Sequence, residues 1–169
     1  MQALKKFIPV LTISLLCCLF IYVFYRTEKT VINQFIISFV SQDLYPRLKT
    51  SVNAALPLNE YLVYSLPEGL WVFCITLSSS FFHIGVMSRR YSLVFVPLLI
   101  ALMMEICQLL HLTNGRFDMM DISFATGFWL VAFLWTRNNN NTKPLFQSFD
   151  IKTIWCMMSY FIVYLAHVN

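Results

Sequence analysis

Charge is scarce in this chain: 12% of its 169 residues are Asp, Glu, Lys or Arg, while 59% are hydrophobic. An ordinary soluble domain does not have that balance. CxxC spacing is also missing. The five cysteines, Cys17, Cys18, Cys74, Cys107 and Cys156, all lie inside apolar runs. Neither a disulfide framework nor a zinc site fits that distribution, and packing is the expected role. No small-x-small cleavage pattern follows the first apolar run, which ends Tyr22-Val23-Phe24-Tyr25-Arg26, so the run is expected to stay as a membrane span. The basic residues are dispersed singly or in pairs, which argues against a nucleic-acid interface. Internal repeats are absent, and with them the symmetry of a conventional secondary transporter.

What the chain does have is long apolar runs. Five of them approach the length that crosses about 30 Å of hydrocarbon at about 1.5 Å per helical residue: Phe7–Tyr25, Gly69–Ser88, Tyr91–Leu112, Met119–Thr136 and Ile151–Val168. The expected fold is an all-α membrane protein, a small bundle of about five transmembrane helices with an interfacial segment after the first. Three stretches follow: 1–68, an anchor span and outer segment; 69–137, a core of three spans; and 138–169, a polar linker and last span.

Alternate sides of such a bundle carry unequal positive charge. Lys5, Lys6, Arg89, Arg90, Arg137, Lys143 and Lys152 fall on one side, and Arg26, Lys29, Arg47, Lys49 and Arg116 on the other. The richer side is expected in the cytoplasm, which puts the N-terminus inside and the C-terminus outside. Between Arg26 and Pro67, Val31, Ile32, Phe35, Ile36, Phe39 and Val40 recur at helical spacing, predicting a helix on the outer surface or a loop packed over the bundle. Tyr45-Pro46, Pro57 and Leu66-Pro67 are expected to break regular structure around it. Asn138 to Pro144 reads as a turn-rich cytoplasmic connector.

The ionisable residues are concentrated at the junction of the third and fourth runs. Glu105 and Gln108 are three apart and share a helix face, and so do Asp118 and Asp121 at the start of the next run. A tight turn through Thr113-Asn114-Gly115 would bring these faces together with Arg116, and Glu68 is expected at the same end. Ionisable groups in or beside hydrocarbon are costly, so the group reads as a functional site. Each member also has a structural reading. Asp118 stands where a helix cap would. Arg116 is a counter-ion or a snorkelling residue. Gln108 is interhelical glue, and Glu68 a helix-start acid. His83, His111 and His167 are isolated and point to packing rather than metal binding.

These residues resemble the signature of the VanZ-like family of bacterial membrane proteins: Glu-x-x-Gln near the end of one span, an outer turn with Arg, then Asp and a small residue in the next. Here they are Glu105, Gln108, Arg116, Asp121 and Gly127, over roughly 93–134. Ala125 stands where the family often carries Asn, and Asp118 is an additional acid. The resemblance implies a small membrane helical domain at the cell envelope, tied by name to glycopeptide resistance, and action on polar lipid heads or lipid-linked cell-wall intermediates. On that reading the chain binds an anionic lipid or polyprenyl-phosphate head at the outer face. Arg116 would stabilise phosphate with Gln108, Asp118 and Glu68 around it, and Glu105 or Asp121 would act as general acid or base. A divalent cation held by Asp118 and Asp121 is an alternative. The other readings are a non-enzymatic envelope accessory protein and a lipid scramblase or transporter.

Overall fold

The computed structural model describes residues 2–26, 44–86, 89–113, 115–137, 142–145 and 150–167. The apolar recurrence expected to form a surface helix, Val31 to Val40, lies outside them. Among the described residues the elements are α1 (Gln2–Tyr25), α2 (Leu44–Ala55), α3 (Glu60–Ser79), β1 (Phe82–Val86), β2 (Arg89–Ser92), a 3-10 turn (Leu93–Phe95), α4 (Val96–Leu109), α5 (Met119–Thr136), β3 (Lys143–Pro144) and α6 (Ile151–His167). Three segments are long and apolar enough to cross a membrane: Phe7–Tyr25 within α1, α3 and α5. This is a membrane protein. The first and fourth expected spans have their expected bounds, but the five-span bundle is not what the chain forms throughout.

The second expected span is displaced by nine residues. Asn59 caps α3 by accepting from Tyr61 N at 3.2 Å, with Pro57 just before it. The helix then runs straight through Pro67. Leu66-Pro67 therefore does not break structure, and Glu68 is a mid-helix residue rather than a helix-start acid. A helix-interior proline loses one hydrogen bond and crowds the preceding turn, and dense packing on all sides of α3 outweighs that cost. α3 ends at the serine run, where Ser78 Oγ donates to Ile75 O at 3.0 Å and Ser80 Oγ to Leu77 O at 2.7 Å. Such hydroxyls compete with the helical ladder.

The apolar residues that follow do not continue as helix. Phe82 to Val86 form β1, antiparallel to β2 with His83 opposite Ser92 and Val86 opposite Arg89. The third expected span is thus divided. Its first residues are strand, three more form a 3-10 turn, and only Val96–Leu109 is α-helix. The polar connector also contains a strand. Lys143 N donates to Phe81 O and Leu145 N to His83 O, making β3 parallel to β1, while Pro144, without an N–H, takes the register position between them. Asp150 starts α6 by accepting from Thr153 N at 3.1 Å, and the hydrogen-bonded ion pair with Lys143 holds its carboxyl down at about 2.

α3 is the axis of the bundle: every residue from Trp71 to Ser80 is buried. α1 runs antiparallel to it, since Phe7 meets Phe81 edge-on at 5.8 Å while Arg26 Nη2 donates to Tyr64 O at 3.1 Å. α5 runs parallel to it, with Phe128 against Gly69 and Phe73, and Trp135 beside Phe73 at 6.3 Å. α6 covers the far side, where Tyr160 Oη lies 3.1 Å from Ser79 Oγ. Its two ends therefore differ. The sheet caps one, together with the starts of α1 and α6 and the end of α5, so that Lys5, Lys6, Arg89, Arg90, Arg137, Lys143 and Lys152 belong to elements meeting there. The opposite end gathers the acids.

Candidate functional site

The turn between α4 and α5 is assembled by local chemistry. α4 ends in a Schellman motif: Leu112 N donates to Cys107 O at 2.8 Å and His111 N to Gln108 O at 3.0 Å, with His111 in the left-handed position at φ 56°. Gly115 follows at φ 130°, and a Cβ there would meet Gln108 Nε2 at 2.8 Å, so both conformation and space require glycine.

Across this turn Glu105, only 4% exposed, accepts from Asp118 N at 3.1 Å through Oε2. Gln108, with its amide nitrogen turned toward acceptors, donates to Glu105 Oε1 at 3.3 Å and to Arg116 O at 3.1 Å. Asp118 Oδ1 accepts from Met120 N at 2.8 Å and caps α5. Glu105, Gln108 and Asp118 thus converge, and their hydrogen-bonding capacity is directed at the turn itself. Together they form a latch. Arg116 contributes its backbone carbonyl. Its side chain is exposed, and among the described residues its guanidinium makes no hydrogen bond or ion pair.

Asp121, one turn further along α5, is placed differently. Its Oδ1 is buried and makes no well-formed hydrogen bond, and the buried hydroxyl of Ser65, 1% exposed, is directed at its carboxylate from α3. Glu68 and Asp118 reach Asp121 as like charges and Arg26 as the opposite charge. Glu68 accepts from Trp71 Nε1 at 2.8 Å. No family model, curated protein or solved structure matches the chain. Its chemistry must therefore be read from this geometry.

Arg26 is a candidate site residue that the spacing of the acids does not reveal. Its guanidinium is clasped over the rings of Tyr22 at 5.1 Å and Tyr64 at 4.8 Å. Its Nη2 is used by Tyr64 O, but its Nε is buried with no partner. The backbone around it is tied down: Lys49 Nζ donates to Arg26 O at 2.9 Å, Tyr45 Oη to Val23 O at 2.6 Å and Tyr25 Oη to Leu56 O at 2.6 Å. The signal was available as an arginine directly closing an apolar run with Tyr22 and Tyr25 before it. It was counted only as a topology charge. The site is thus a half-buried acid and a buried hydroxyl, Asp121 and Ser65, with Arg26 as the opposite charge that reaches Asp121.

A divalent cation finds less support. Among the described residues no group of three or more His, Cys, Asp or Glu side chains is arranged to hold a metal. Asp118 moreover already spends Oδ1 on its cap.

Proposed function

We propose that this chain binds the phosphate-bearing head group of a membrane lipid at the acidic end of its bundle. The observation that carries this is the set of buried polar atoms without a well-formed hydrogen bond at this end of the bundle: Arg26 Nε, Ser65 Oγ and Asp121 Oδ1, of which the last two face each other. Buried polar groups are almost always satisfied, so such a set marks a place where an outside group completes the bonding. A phosphate matches the guanidinium. The surplus of carboxylates around it, Glu68, Glu105, Asp118 and Asp121, disfavours a bare anion. It favours a head that also carries a hydrogen-bond donor, a hydroxyl or ammonium, directed at Asp121 and Ser65. Asp121, with one oxygen uncommitted, is the candidate acid or base, and Glu105, with both oxygens engaged, positions the turn.

The resemblance to the VanZ-like family supports the same assignment, with Glu105, Gln108, Arg116 and Asp121 at the signature positions. The latch favours one competing reading, a structural accessory protein, because it explains Glu105 and Gln108, two of the signature residues, without a ligand. Arg26 decides between them. Titrating the reconstituted protein with a phospholipid and with the corresponding diacylglycerol, which lacks the phosphate, should show preference for the phospholipid. Arg26→Gln should erase that preference, about tenfold or more in affinity, equivalent to one charge-assisted contact. A preference unchanged in Arg26→Gln would leave only the structural reading.

We further propose that the sheet end faces the cytoplasm of a bacterial inner membrane and the site faces outward, since the seven basic residues named above belong to the elements that meet at the sheet. A cysteine introduced at exposed Thr113 should react with a membrane-impermeant thiol reagent in intact spheroplasts, and one at exposed Arg90 only after permeabilisation. The native cysteines lie within the helices, and the parent chain gives their background. The reverse pattern would invert the protein.

A further inference from the structure

A groove of about 660 Å³ runs along the lipid-facing side of α1, between that helix and the segment leading into α3. Ile13, Leu16 and Phe20 line its length, and Phe24, Leu56 and Leu66 close its upper end. Its lining is almost wholly apolar. Two features connect it to the charged site. Leu66 is adjacent in sequence to Ser65, and Phe24 stands two residues before Arg26, whose backbone and guanidinium are pinned to α2 and α3 by Lys49 and Tyr64. Through Phe24 and Leu66 the groove ends at the same level of α1 and α3 as the head-group site, and it descends from there along a membrane span.

Its length indicates what fills it. From Ile13 to Phe24 the helix rises roughly 16 Å at about 1.5 Å per residue, and half of a hydrocarbon core of about 30 Å is about 15 Å. A channel of single-leaflet depth fits a chain that begins at the head-group level and ends near the midplane. That describes a phospholipid acyl chain, whereas a polyprenyl chain would extend well beyond it.

We infer that this groove seats one acyl chain of the phospholipid whose head is held by Arg26, Ser65 and Asp121, with lateral entry from the bilayer. The inference rests on the head-group reading and supplies its ligand class. Apolar contact along α1 contributes affinity that is independent of head chemistry, and the charged site contributes selectivity among heads.

The test uses the full chain purified in mild detergent and native mass spectrometry with added phospholipid or polyprenyl phosphate. Leu16→Trp fills the groove from a residue 58% exposed, so the interior is spared. Leu134→Trp, 56% exposed on α5 outside the groove, is the control. Phospholipid retention should fall about tenfold in Leu16→Trp, the equivalent of losing contact with roughly two methylenes, and should be unchanged in Leu134→Trp. Equal retention in Leu16→Trp and the parent, or tighter retention of the polyprenyl phosphate by the parent, would overturn the groove assignment. Loss in Leu16→Trp, combined with no effect of Arg26→Gln on head preference, would uphold the groove and remove the head-group site.

Discussion

Asp121→Asn is expected to reduce binding of the phospholipid head about tenfold or more while leaving thermal stability in detergent equal to or higher than that of the parent. Asparagine keeps the shape of the side chain and removes its charge. Asp121 Oδ1 makes no well-formed hydrogen bond, an asparagine can still meet the Ser65 hydroxyl, and the like charges of Glu68 and Asp118 reach Asp121 against the opposite charge of Arg26. Removing a buried, unpaired charge is neutral or stabilising when no bond depends on it, and is destabilising only when it orphans a partner. A ligand donor directed at that oxygen would nevertheless lose a charge-assisted contact, of order 1.5–3 kcal/mol. Glu105→Gln should behave in the opposite way, because Glu105 Oε1 and Oε2 take up the Gln108 amide and Asp118 N. It is expected to lower stability by about 1–2 kcal/mol and to affect binding only in proportion. Thermal denaturation and lipid binding measured on both variants separate a ligand-binding acid from a fastening one. An Asp121→Asn protein that loses stability and binding together would remove Asp121 from the site.

The largest effect on folding is expected from Gly69. A Cβ there would come within 2.5 Å of Phe128 Cδ2 and 3.1 Å of its Cγ and Cε2, so the ring must move for any side chain to fit. Phe128 is held in turn by Phe73 at 6.2 Å and by stacking on Phe124 at 6.3 Å. Gly69→Leu should therefore push α3 and α5 apart and lower stability by about 3 kcal/mol, at the upper end of overpacking effects. Gly127 is the informative contrast, because a Cβ there meets nothing within 4 Å. Gly127→Ala should stabilise α5 by up to about 1 kcal/mol, the helix-propensity difference between the two residues. The close approach of the two helices thus depends on the glycine outside the signature. Equal sensitivity of the two positions to substitution would contradict this packing.

The parts of the chain that could be read in advance are those where a single physical term dominates. α1 and α5 are continuous apolar runs with clear ends, and for α5 a capping aspartate marks the start. The start of α3 is not evident from hydropathy because Glu60, Pro67 and Glu68 look like a break, and only the Asn59 cap and the burial of Val63, Ser65 and Pro67 show the stretch to be helix. The hairpin was hidden because Phe81 to Val86 are as apolar as a span. What distinguishes them, the hydroxyls of Ser78 and Ser80 and the pairing to residues far along the chain, is not a property of hydropathy. The latch was legible because Glu105, Gln108 and Asp118 are close in sequence and their spacing places them on facing sides of one turn. Arg26 was not, since it lies almost a hundred residues from Asp121 in the chain. Arg116, the nearer cation, was given a role that its exposed side chain does not take up.

The parallel pairing of β3 with β1 imposes an order on assembly. Its two bonds run from Lys143 and Leu145 to the carbonyls of Phe81 and His83, so they can close only after some sixty further residues, the whole α4–α5 hairpin among them, have been synthesised. Joining β3 to the β1–β2 hairpin is the late step of the sheet, and a chain cut short before Lys143 would leave the carbonyls of Phe81 and His83 without these two donors.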